Sequence, residues 1–148
     1  MDGIEALEKD HARIRSLFSN IESTDNPQEL DDNFEKLSNI LTIHAEAEEQ
    51  VLYLEASNCE GTAELIDQGR QEHDKGDQMV LEIKSTSPKE SEFKEKVREL
   101  QEFMLKHLDE EESDLFPRVR QCMSDKKLEQ LGTEIKKTKA DVAEKIAD

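Results

Sequence analysis

Tryptophan is missing from this 148-residue chain, and phenylalanine and tyrosine together amount to 4% of it. A chain so short of aromatic and β-branched residues is poorly suited to strands, which draw on those types. Three prolines and five glycines leave room for only a few tight turns, which excludes collagen-like and proline-rich architectures. The two cysteines, Cys59 and Cys122, show no CxxC spacing, which excludes a thiolate zinc cluster, and reduced thiols in a cytosol are the expected state. No apolar run approaches the roughly 18 residues of a membrane span. The opening Met1-Asp-Gly-Ile-Glu-Ala has neither the basic nor the apolar region of a secretory signal. Basic residues number 20 against 37 acidic ones, a net charge of −17. Like charges repel, so neither nucleic acid nor an anionic membrane is expected as a partner. The expectation is a cytoplasmic protein.

What remains is rich in Glu, Lys, Leu and Ala, a helical composition. Ile4, Leu7, His11, Ile14, Phe18 and Ile21 recur at alternating steps of three and four, the apolar stripe of an amphipathic helix. Asp10 and Arg13 flank His11 on what should be its wet sides. Asn26-Pro27-Gln28-Glu29 reads as cap, first position and third position of a second helix. Its stripe is Leu30, Phe34, Leu37, Leu41, His44, Glu48 and Val51. A turn at Asn58–Gly61 leads to a third helix, capped by Thr62, with Ile66, His73 and Val80 on its stripe. Gly69 and Gly76 lie seven apart on one face, serving either close helix packing or room beside His73. Ser87-Pro88-Lys-Glu90 reads as the start of a fourth helix carrying Phe93, Val97, Leu100, Met104, His107, Glu111 and Asp114. Pro117 is expected to break or kink it. Ser124 or Asp125 caps a fifth segment, with Leu128, Leu131, Ile135, Val142 and Ile146 at helical spacing.

The chain repeats itself: one histidine, then a His-x3-Glu pair, twice over. The intervals from single to paired histidine are 33 and 34 residues. Two similar helical hairpins with short connections predict an all-α, up-down-up-down four-helix bundle with an additional C-terminal helix. Four helices each place a histidine on the core stripe, and two add a carboxylate one turn on. Buried ionisable groups are costly unless they are paired or coordinate a metal. Six such donors are too many for one tetrahedral zinc and are too rich in nitrogen for calcium or magnesium. Mixed imidazole and carboxylate donors suit iron or manganese, and six of them suit two ions. The competing reading is a metal-free interaction module whose histidines are packed or act as a pH switch.

The order His11 … His44-x3-Glu48 … His73 … His107-x3-Glu111, with Glu111-Glu-Ser-Asp-Leu-Phe-Pro117 after the last histidine, resembles the hemerythrin-like, or HHE cation-binding, domain. The resemblance covers about residues 4–123. It implies a four-helix bundle around a non-haem, carboxylate-bridged centre of two Fe ions that binds dioxygen. Carried over by position, it implies His11 and His44 on one iron, His73 and His107 on the other, and Glu48 and Glu111 as bridges. Oxygen-carrying hemerythrins have a further histidine four residues after the one on the third helix. Asp77 stands there in this chain, as a substitute ligand or as a partner of a ligating histidine. The carriers place an Asp five residues after the final histidine, where Glu112 stands here. Glu111 shares the face of His107, whereas Glu112 points roughly 100° further round.

These readings give residues 1–123 as a hemerythrin-like bundle and 124–148 as a cover helix of the same domain or a surface for homo-oligomer formation. The expected metal ligands are His11, His44, Glu48, His73, Asp77, His107 and Glu111. The expected function is binding of dioxygen, peroxide or nitric oxide for sensing, storage or detoxification. The alternative is an enzyme on the same centre, acting on peroxide or on ferrous iron. Tyr53, the only tyrosine and five residues beyond Glu48, is expected at a helix end rather than at the site.

Overall fold

A computed structural model describes residues 1–147, and the described residues form helices and turns with no strand. Helix α1 (Gly3–Glu22) opens with a reciprocal cap, in which the Asp2 carboxylate accepts from the Glu5 N–H and the Glu5 carboxylate from the Asp2 N–H. Helix α2 (Pro27–Ala47) begins as expected, with the Asn26 side chain accepting from the N–H groups of Gln28 and Glu29. The α-turns then widen into one π-helical stretch, Glu48–Leu52, before the short α3 (Tyr53–Ala56). Helix α4 (Ala63–Lys84) and helix α5 (Ser91–Glu110) form the second hairpin. Again a π-helical stretch, Glu111–Leu115, precedes a short helix, α6 (Phe116–Cys122). Helix α7 (Asp125–Ala147) closes the chain.

Several boundaries differ from expectation. Thr62 makes no cap; its hydroxyl donates to the carbonyls of Ala56 and Cys59 and closes the turn in which Gly61 takes φ +79°. Residues 88–90 stay in a turn, and α5 starts three residues later than the Ser87-Pro88 signal suggests. Pro117 does not break the chain's helical path. It enters α6 in the first turn, where the widened segment before it has already displaced the carbonyl that a proline ring would strike. The Ser124 hydroxyl accepts from the Lys127 N–H and starts α7.

The core divides into two apolar clusters stacked along the bundle. One gathers Ile14, Phe18, Phe34, Leu37, Phe93 and Leu100 with their neighbours. The other gathers Ile4, Leu7, Leu52, Ile66, Phe116 and Val119, and takes Leu128, Leu131 and Ile135 from α7, which lies across α1 and α2. His11, His44 and His73 each fall between the clusters on their own helices, His11 between Leu7 and Ile14, for example, and His107 lies at the edge of the first cluster beside Leu108.

Cys59 and Cys122 form a disulfide with Cα atoms 5.7 Å apart. The expectation of reduced thiols is therefore corrected, and cysteine usage no longer argues for a reducing compartment. Their separation of 63 residues equals that from His44 to His107 and from Glu48 to Glu111. The two cysteines are thus equivalent positions of the repeat, brought together where its two halves meet at one end of the bundle. Closing a loop of this length is worth about 4 kcal/mol in the chain-entropy account. Reduction, or Cys59→Ser with Cys122→Ser, is expected to lower the thermal midpoint by about 10 °C while leaving helicity intact, as read by circular dichroism.

Candidate metal centre

Six ionisable side chains meet in the layer between the clusters, and all are buried: His11, His44, Glu48, His73, His107 and Glu111. Their donor atoms fall into two groups. His11, His44, Glu48 and Glu111 can each offer one atom within 4.8 Å of the others, and so can Glu48, His73 and His107. Glu48 belongs to both. The rings of His11 and His44 meet edge to face at 4.9 Å between centroids, as do those of His73 and His107.

Every histidine is anchored the same way. Nδ1 faces a carboxylate: Glu112 at 3.0 Å from His11, Asp10 at 3.0 Å from His44, Glu49 at 3.2 Å from His73 and Glu72 at 2.6 Å from His107. A carboxylate acceptor assigns a proton to Nδ1 and turns Nε2 inward, where loss of any second proton gives the tautomer a metal requires. Among the described residues, three buried side-chain polar atoms have no hydrogen-bond partner, namely Glu48 Oε2, His107 Nε2 and Glu111 Oε1. All three belong to the inward set. Buried polar atoms without partners are rare and costly, and a bound cation would satisfy all three. The residues present therefore fit a metal centre.

The π-helical stretches explain which side chains reach the centre. In each, an N–H bonds the carbonyl five residues back, Tyr53 to Glu48 and Phe116 to Glu111. The extra residue per turn brings position i+5 onto the face of position i. Tyr53 is accordingly fully buried at the site, not at a free helix end. Its hydroxyl donates to Glu111 Oε2 at 3.1 Å, and its ring stacks on His73 at 5.7 Å. Phe116 stacks on His11 at 5.5 Å in the equivalent place. The same shift carries Glu49 and Glu112 round to the neighbouring helices' histidines. It also turns Asp114 away from the core, to pair with Arg118 at 2.8 Å.

The metal-free electrostatics are those of a site holding protons where cations would sit. Burial alone would lower the His107 pKa, but Glu48, Glu72 and Glu111 around it outweigh burial and raise it to about 11. His73 is raised to about 9 in the same way, burial being outweighed by Glu48 and Glu49. Burial would raise Glu48, but His44, Glu111, His107 and His73 around it hold it well below the usual carboxylate range. Glu111, facing the Glu48 charge in the same buried layer, is pushed up by burial and by that charge.

A model of the hemerythrin HHE cation-binding domain matches residues 2–119. This chain belongs to the hemerythrin HHE family. A DNA nickase of Nostoc sp. is 33% identical over 145 residues, 96% of this chain but 40% of that protein. The hemerythrin-like chain thus spans two fifths of that relative's length. An uncharacterized hemerythrin-like protein of Schizosaccharomyces pombe is 27% identical over 137 residues, 91% of this chain and 68% of that one. The crystal structure of an HHE cation-binding domain-containing protein from Mycobacterium kansasii superposes with a TM-score of 0.87 at 24% identity, covering 98% of this chain and 89% of that one. It shares the fold.

Within this hemerythrin-like bundle, six of the seven expected ligands converge and Asp77 does not. The inward stripe of α4 runs Ile66, Gly69, His73, Gly76 and Val80, so Asp77 falls at its edge, exposed and outside both donor groups. The partner role offered to Asp77 is filled instead by Glu49. Asp10, expected on a wet side, is buried beneath α7. The four anchoring carboxylates escaped the stripe analysis because none lies on a stripe. Their signal was adjacency: Asp10 and Glu72 directly precede the single histidines, and Glu49 and Glu112 directly follow the paired glutamates. Gly69 serves close packing of a particular kind, since a Cβ there would overlap the Tyr53 hydroxyl.

Because the folded, metal-free chain holds His73 and His107 protonated, their contribution is complete below pH ~6.5 and is lost as pH rises through about 9 and then 11. The thermal midpoint of metal-free protein should therefore fall between pH 6.5 and 9. Metal uptake at pH 7.5 should expel about two protons per chain, read with an indicator dye in weak buffer.

Proposed function

We propose that this hemerythrin-like domain is a non-haem protein of two iron ions that binds dioxygen, peroxide or nitric oxide, for sensing, storage or detoxification. The observation that carries it is the set of three unpartnered buried donor atoms inside a ring of four Nδ1-anchored histidines. His11 and His44 would hold one ion, His73 and His107 the other, with Glu48 and Glu111 shared. Mixed nitrogen and oxygen donors in this number favour iron over a single zinc. When bound, the irons supply one-electron redox chemistry and an attachment point for a small ligand. The chain's own part is to keep each imidazole oriented, to exclude water with the two apolar clusters, and to offer the Tyr53 hydroxyl as a proton donor at Glu111.

Space supports a small ligand. Two cavities of about 20 Å³ flank the centre, one bordered by Gly69, Glu72, His107 and Glu111, the other by His44, His73, Gly76 and His107. Each has room for about one water-sized molecule, which excludes an organic substrate. The proton on Tyr53 favours a second reading, peroxide decomposition on the same centre. The nicking named for the longer Nostoc protein is not carried over, because 17 net negative charges repel a phosphate backbone.

Protein purified from iron-supplied cells should contain close to two irons per chain. It should show near-ultraviolet charge-transfer bands that change on exposure to air and azide. Folded protein with no iron, or with one zinc, refutes the reading. His107→Ala should halve the iron content or worse. Tyr53→Phe at unchanged iron content should slow peroxide decay by about 10-fold if the second reading holds.

A further inference from the structure

Each half of the centre carries two histidines and shares Glu48, the His11–His44 half adding Glu111 to its donors, and the halves differ further in what lies behind those histidines. On one side, both anchoring carboxylates are shared with cations. Lys139, on α7, donates to Asp10 Oδ1, while Asp10 Oδ2 accepts from His44. Arg15 donates to both oxygens of Glu112, at 2.9 and 3.2 Å, and Glu112 accepts from His11. On the other side, among the described residues, no Lys or Arg is hydrogen-bonded to either carboxylate. Glu72 accepts a neutral bond from Gln68 at 3.2 Å besides that from His107. Glu49 has His73 as its hydrogen-bond partner, and the nearby Arg70 lies over the Tyr53 ring instead.

A carboxylate that already serves a cation is a weaker acceptor, polarises its imidazole less and leaves a poorer electron-pair donor at Nε2. It also offers less negative charge to an incoming cation. Both effects act in the same direction, and both act on the same pair of histidines.

We propose that the two metal positions are unequal, and that Lys139 and Arg15 make them so: the His73–His107 position fills first and holds its metal, while the His11–His44 position fills second and empties first. The inference rests on the two-metal reading above. Lys139 and Arg15 hydrogen-bond the anchoring carboxylates, not the candidate ligands, so they are positioning residues. Since Lys139 comes from α7, the cover helix sets the affinity of one metal position in a bundle whose ligands all lie on other helices.

Cobalt(II) titration of the metal-free full chain tests this through ligand-field absorption, with no activity required. Two steps are expected. The spectrum after the first should match that of the His11→Ala protein, which keeps the His73–His107 position. Lys139→Met and Arg15→Met should each tighten the second step by about 10-fold, drawing the steps together, and Lys139→Arg should restore the gap. Simple structural damage would weaken that step, so the direction separates the two causes. Equal binding of two ions, a first step matching the His73→Ala protein, or a gap unchanged in both Met variants would overturn this proposal while leaving the two-metal reading standing. Failure of the folded wild-type chain to bind two ions would overturn both.

Discussion

The hydrogen bond from each histidine Nδ1 to a carboxylate is the interaction on which this bundle depends. Six ionisable groups lie in a dry layer between two apolar clusters. Burying a charge costs several kcal/mol even after relaxation, so such a layer survives only if its members satisfy one another or a cation does it for them. The four carboxylate–imidazole pairs settle half of each ring and leave the other half facing inward. The three unpartnered atoms that remain are the residue of an otherwise balanced network, and they mark where the network is built to receive something.

Two local widenings of the helices make the balance geometrically available. In a regular α-helix the residue after a core glutamate turns about 100° away, and the fifth residue on lies off its face. The π-helical stretches at Glu48–Leu52 and Glu111–Leu115 change both relations. They bring Glu49 and Glu112 to the histidines of neighbouring helices, and Tyr53 and Phe116 onto imidazole faces. Because the device occurs at the same place in both halves, it preserves the repeat, and the disulfide between Cys59 and Cys122 joins equivalent positions of it. Symmetry is broken from outside the repeat, where α7 sends Lys139 to Asp10, and by Arg15 on α1, which clamps Glu112.

The stripe periodicity was enough to recognise five helical segments, the hairpin repeat and six converging donors, because 3.6-residue periodicity maps directly onto which side of a helix is buried. It was also enough to prefer Glu111 over Glu112 as the inward carboxylate. It failed where the period itself changes. Tyr53 and Asp114 were assigned by α-helical phase, and an added residue per turn exchanged outside for inside in both cases. Asp77 stands outside both donor groups because Gly76 holds the inward place beside His73 and leaves Asp77 at the edge of the stripe.

The sequence by itself determined the architecture and the donor set, since both follow from residue types repeated at helical spacing within single segments. Only the tertiary structure decided what stands behind each donor. The anchoring of His44 by Asp10 and Lys139, of His11 by Glu112 and Arg15, and the meeting of Cys59 with Cys122 are contacts between residues far apart in the chain. Local periodicity carries no information about such pairs; they exist because helix packing and two widened turns bring particular atoms within hydrogen-bonding distance.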